Sequence, residues 1–150
     1  MTIQRDRMLT RQIGAAAVEF AIVSGVFFML LIGIMEMGRV LFYWNTATEA
    51  TRLGARLAVV CDLNDAEIKA KTHALFPTLS TGDISVVYQP DSCTSDTCTQ
   101  VTVSVRPGKS IQTFVPYVPM SLTLPAFATT LSRESMQSTA PDGTPNPVCE

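Results

Sequence analysis

The sequence predicts an α+β protein: a long N-terminal membrane and spine helix packed on a small antiparallel β-sheet domain, with one short extra helix. Three observations predict it. Residues 13–35 form an apolar run, and small residues at helical spacing continue beyond it to residue 60. A shorter capped stretch follows and stops at Pro77. The period then changes to two in residues 84–88 and 101–105, which are rich in β-branched side chains.

The apolar run contains one charge, Glu19. At helical rise it is roughly 35 Å long, enough to cross the hydrocarbon core of a bilayer. A lone carboxylate in such a run costs about 2.5 to 3.5 kcal/mol on insertion scales, so a partner for it is expected. Arg5, Arg7 and Arg11 precede the run, which favours a cytoplasmic amino terminus. Arg39, Arg52 and Arg56 follow it, so arginine counting alone decides weakly. The run is too long for a secretory signal peptide, and its small residues, 14–17, come before the apolar stretch instead of after it. It is therefore expected to persist in the mature protein.

Beyond residue 35, Glu36 and Arg39 are spaced to pair. Val40, Trp44, Ala47, Thr51, Gly54 and Ala58 then share one helix face, with Arg52 and Arg56 off that stripe and Glu49 within reach of Arg52. The small residues let another backbone come close. No proline occurs before Pro77, so one helix is expected from about residue 13 to residue 60. Tyr43 and Trp44 have two readings: aromatic anchors at the membrane interface, or core of the soluble domain.

Asn64 is expected to cap the second helix, with Glu67 where a capping box would put it. Ile68, Thr72, Leu75 and Phe76 make its buried stripe; Lys69, Lys71 and His73 fall on the wetter side. After the two strands, Pro107 and Gly108 turn the chain, and residues 111–115 read as a short extended piece. Pro116, Pro119 and Pro125 interrupt the next section, so residues 122–124 and 127–131 are expected to form one last strand broken at Pro125. Residues 137–150 read as an irregular tail, held only if Cys149 is bridged.

The four cysteines, Cys61, Cys93, Cys98 and Cys149, all follow the apolar run. An even count beyond a membrane segment reads as two disulfides in an oxidising compartment; four free thiols in a cytosolic domain is the alternative. A short bridge between Cys93 and Cys98 across the neck of a hairpin would leave Cys61 to pair with Cys149, one of three pairings possible on paper. Zinc is disfavoured, because only Cys93 and Cys98 are close and no paired histidine accompanies them.

The net charge of −2 offers no basic surface for nucleic acid. His73 is the only histidine, and nothing marks a serine partner for it. The phosphate-loop and His-Glu-x-x-His motifs are missing from the sequence. These features argue against an enzyme, a cofactor, a metal site and a small-molecule substrate.

The leader Met1 to Gly14, followed by Ala15, Ala16, Ala17, Val18, Glu19 and Phe20, resembles the class III signal of prepilins: a basic leader ending in glycine, then a helix with glutamate fifth. The continuation sharpens this. Residues 14–21, residues 33–39 and the Asn45-Thr46-Ala47 and Ala50-Thr51-Arg52-Leu53-Gly54-Ala55-Arg56 segments resemble TadE-like pseudopilins. The resemblance covers residues 12–60 well and the remainder only in general pattern.

It implies a minor pilin of a tight-adherence pilus, a branch of the type IV filament superfamily, acting in filament assembly and adhesion, at the tip or in initiation. Prepilin peptidase would cut between Gly14 and Ala15, removing three arginines and one aspartate and taking the formal charge from −2 to −4. The implied division is a cytoplasmic leader (1–14), a transmembrane half-helix (15–36), a soluble half-helix (37–60), an extracytoplasmic head (61–136) and the tail (137–150). Glu19 would pair with the new ammonium of a neighbouring subunit's Ala15, beside Phe20. Snorkelling of Glu19 towards the cytoplasmic interface is the competing reading. The implied partners are the inner membrane before assembly, the peptidase and other pilin subunits. The implied location is the bacterial inner membrane in a single pass, then the pilus at the cell surface. The alternative function is a bitopic inner-membrane protein that binds a partner through its outer domain.

Overall fold

A computed structural model of the chain describes residues 3–113 and 121–150, with side chains from Gly14 onward. Helix α1 runs Ile3–Val60 and α2 Ala66–Leu75; a 3-10 turn, Thr81–Asp83, leads into strand β1, Ile84–Gln89. Strands β2 (Gln100–Val105), β3 (Ser110–Gln112), β4 (Ser121–Thr123) and β5 (Ala128–Ser132) follow. The layout is the expected α+β class. The chain divides into two compact units, one holding α1 as far as Val40 and the other beginning at Leu41.

In the first unit, α1 starts ten residues before the apolar run. Arg, Gln, Met and Leu are good helix formers, and neither glycine nor proline interrupts residues 3–13. The side chains of Arg5, Arg7 and Arg11 lie outside the described residues. Glu36 and Arg39 pair at 2.7 Å, and Val40 is buried.

In the second unit, the carboxyl-terminal part of α1 packs on an antiparallel sheet of order β1-β2-β5. The alternation in β2 decides the face: Val101, Val103 and Val105 are buried, while Thr102 and Ser104 between them are half-buried. Ala55, Leu57, Ala58 and Val59 from α1 meet Val101, Val103, Ile84 and Ile68 in one core cluster. Ala47 and Ala50 join Phe76, Leu79, Val105, Ile111 and Leu124 in a second. Gly54 allows a close approach: a Cβ built there would stand 2.7 Å from Thr72 Oγ1 and 3.0 Å from Val103 Cγ1.

Several local expectations are corrected. Trp44 is exposed, although Val40 before it and Ala47 after it on the expected face are buried. The α2 cap is Asp65, whose carboxylate accepts from Glu67 N; Asn64 sits one residue too early, in a left-handed turn at φ 59°. Leu75 is exposed, and Phe76, just past the helix, carries the burial instead. Residues 122–124 and 127–131 are not one broken strand. β4 pairs with β3 in a separate two-stranded sheet, and β5 pairs with β2. Pro125 lies between two sheets, where no ladder bond is asked of it. The extended piece at 111–115 is β3 as far as it is described; residues 114–120, with Pro116 and Pro119, lie outside the described residues.

The tail is irregular but held by more than one bridge. Gln137 N donates to the Val60 carbonyl, and Ser138 exchanges bonds with Asp62 and gives its hydroxyl hydrogen to Asp65. Met136 is fully buried.

Candidate processing and assembly site

Gly14, Ala15, Glu19 and Phe20 all lie on α1 and are all exposed. Ala15 and Glu19 are one turn apart, so they share a face. A Cβ at Gly14 would meet nothing within 4 Å, so packing does not require glycine there. What glycine changes is the backbone: it weakens a helix interior by about 1 kcal/mol relative to alanine, here as at Gly25 and Gly33 further along α1. Phe20 is 74% exposed, and from there to Met35 large apolar side chains point outward on every side of the helix. The stretch is long and apolar enough to cross a membrane, with a peak mean hydropathy of 2.4. Glu19 has no partner among the described residues.

Elsewhere the four cysteines and the histidine make structural contacts. Cys61 and Cys149 are bonded with Cα atoms 5.6 Å apart, which ties the end of α1 to the tail; Cys93 and Cys98 are bonded across the β1–β2 connection at 4.9 Å. His73 is half-buried and its Nδ1 donates to the Leu79 carbonyl, fastening α2 to the turn that follows. Among the described residues, no three His, Cys, Asp or Glu side chains are grouped to hold a metal. One surface concavity is lined by tail residues such as Pro141, Pro145 and Asn146, and another by Gln89, Pro90 and Thr99.

Asp83 is held by three donor groups. Its carboxylate accepts from Ser80 N at 2.9 Å, Ser80 Oγ at 2.8 Å and Lys109 Nζ at 3.1 Å. The Ser80 backbone bond, then its hydroxyl, then Lys109 hold the Asp83 pKa at about 2. This closes the turn before β1 and is remote in sequence from Glu19. Burial raises the Tyr88 pKa, while its hydroxyl accepts from Asn64 N.

Sequence reasoning missed the outward-facing Met37, Leu41 and Phe42. The available signal was that large apolar residues continue past the Glu36–Arg39 pair. Residues 14–56 match the model of the TadE-like protein family. Neither the curated proteins nor the solved structures give a match.

Proposed function

From a chain whose amino-terminal segment is TadE-like over residues 14–56, we propose that it is a minor pilin of a Tad-type pilus, made as a membrane-anchored precursor and assembled through α1. The TadE-like family is pilus-associated and structural in character. One observation carries the reading: a glycine, a small residue and a carboxylate one turn later stand at the start of the exposed apolar stretch of α1. Cleavage between Gly14 and Ala15 creates an ammonium at the edge of that helix. The carboxylate of Glu19 on one subunit then meets the ammonium of the next. A buried pair of this kind contributes little net stability, but breaking it is costly, so it sets the register between subunits.

The domain division at residues 14, 36, 60 and 136 belongs to this proposal, as do the cytoplasmic amino terminus, the outward head and the later move to the cell surface. Two disulfides support an oxidising location for the head. Phe20, where major pilins of these systems usually carry tyrosine, and the sizeable head support a place at the tip or in initiation. The test is the mass of the protein taken from its native membrane. A chain beginning at Ala15 is the expected result. An intact leader in cells with an active prepilin peptidase overturns the proposal and leaves the bitopic partner-binding protein.

A further inference from the structure

We infer that Leu41, Phe42 and Trp44 form a collar in the outer headgroup interface of the bilayer, so that lipid contact continues past Glu36 and Arg39 to Trp44. This rests on the membrane-spanning part of the proposed function and not on removal of the leader.

Exposure carries the inference. Leu30, Ile34 and Met37 recur at steps of four and three and are exposed in the first unit, and Leu41, Phe42 and Trp44 are exposed at the start of the second, so large apolar side chains are exposed on both sides of the two charges in the sequence. Met37 is 61% exposed, Phe42 63% and Trp44 38%. After Trp44 the pattern stops: no large apolar side chain is exposed again before Leu75 among the described residues. The other side of the same turns is different. Glu36 and Arg39 close on each other, Val40 is buried, and Tyr43 turns inward with its ring 5.9 Å from that of Phe76. Of two adjacent aromatics, one is used by the head core and its neighbour Trp44 is left outside.

Length and chemistry select the bilayer as the occupant. From Ala15 to Val40 a helix rises roughly 38 Å, more than the ~30 Å hydrocarbon core and close to the ~40–45 Å that includes headgroups. Trp44 follows one turn later in sequence, where an amphipathic ring is favoured. A closed Glu–Arg pair is tolerated near the edge of the core because its charges cancel locally and both side chains reach towards the headgroups. Among the described residues, the first pair with both side chains well exposed, Glu49 with Arg52, comes only after the collar.

The chain has one tryptophan, so its fluorescence reports this position alone. The full chain is reconstituted in phosphatidylcholine–phosphatidylglycerol vesicles that carry a quencher either high or deep on the acyl chain. Blue-shifted emission, a larger intensity loss to the shallow label than to the deep one, and protection from aqueous iodide are expected. Free quenching by iodide overturns the inference, because the ring then stands in water. Stronger quenching by the deep label overturns it, because the interface then lies beyond Trp44. Protection from iodide with no response to either label also overturns it, because protein then covers the ring. An uncleaved leader would defeat the pilin reading without moving Trp44, so the two failures are separable.

Discussion

Gly54 leaves no room for a side chain between α1, α2 and β2. A methyl group there would press on Thr72 Oγ1, which is already committed to the Ile68 carbonyl at 2.6 Å, and on Val103. Alanine gains about 1 kcal/mol of helix propensity but meets an overpacking cost of about 1–3 kcal/mol. Gly54→Ala is therefore expected to lower stability by about 1 kcal/mol in denaturant melts, and Gly54→Leu by more. In a Thr72→Ala background the same change should be neutral or stabilising, because the nearest obstacle is gone; an unchanged penalty there would contradict the packing account. Asp83 makes a second residue-scale prediction. Its pKa falls from 3.8 to about 2 on folding, so its contribution is present above pH 4 and is lost as the pH drops towards 2. Asp142, lowered by its bonds from Thr144, acts in the same direction. The melting temperature should fall across that window, and Asp83→Asn should flatten part of the fall. The carboxylate is partly exposed, so the effect is modest.

At the scale of elements, the two disulfides do unequal work. The Cys61–Cys149 bridge closes a separation of 88 residues and the Cys93–Cys98 bridge one of 5. By chain entropy these correspond to about 4–5 and about 2 kcal/mol. Replacing Cys61 and Cys149 together with serine should cost about 2–5 kcal/mol in denaturant melts and expose residues 140–147 to protease. Replacing Cys93 and Cys98 should cost about 2 kcal/mol or less and leave the tail protected. The tail should not detach completely in the first variant, since Met136 stays buried and Ser138 keeps its bonds to Asp62 and Asp65. Equal losses from the two pairs would contradict this ordering.

At the scale of the whole molecule, the proposal depends on one carboxylate. Glu19→Ala removes an insertion cost of about 2.5 to 3.5 kcal/mol, so membrane integration and cleavage after Gly14 should be unimpaired or improved. Fibres should nevertheless fail to form, which pilus shearing and electron microscopy would read. Normal fibres from the Glu19→Ala chain would show that the carboxylate is not needed between subunits. The head contributes differently: its two cores are built on a helix face of alanine and glycine, so its stability can be changed by Gly54 or Cys149 while Glu19 is left alone.

Local pattern determined the helix–sheet division of this chain. A 23-residue apolar run, a Pro77 stop and valine alternation each act over one or two turns or one strand, where propensity and periodicity suffice. Ala47, Thr51, Gly54 and Ala58 were legible as a buried face for the same reason. Tertiary structure alone decided that Trp44 stays outside while Tyr43 goes in, because both rings are apolar enough for either place and only the position of Phe76 selects between them. It also decided that residues 121–123 and 128–132 join different sheets, and it selected, from three possible cysteine pairings, the one that the short Cys93–Cys98 spacing suggested. Strand partners and bridges depend on approach between residues far apart in the chain, and no local period encodes that distance.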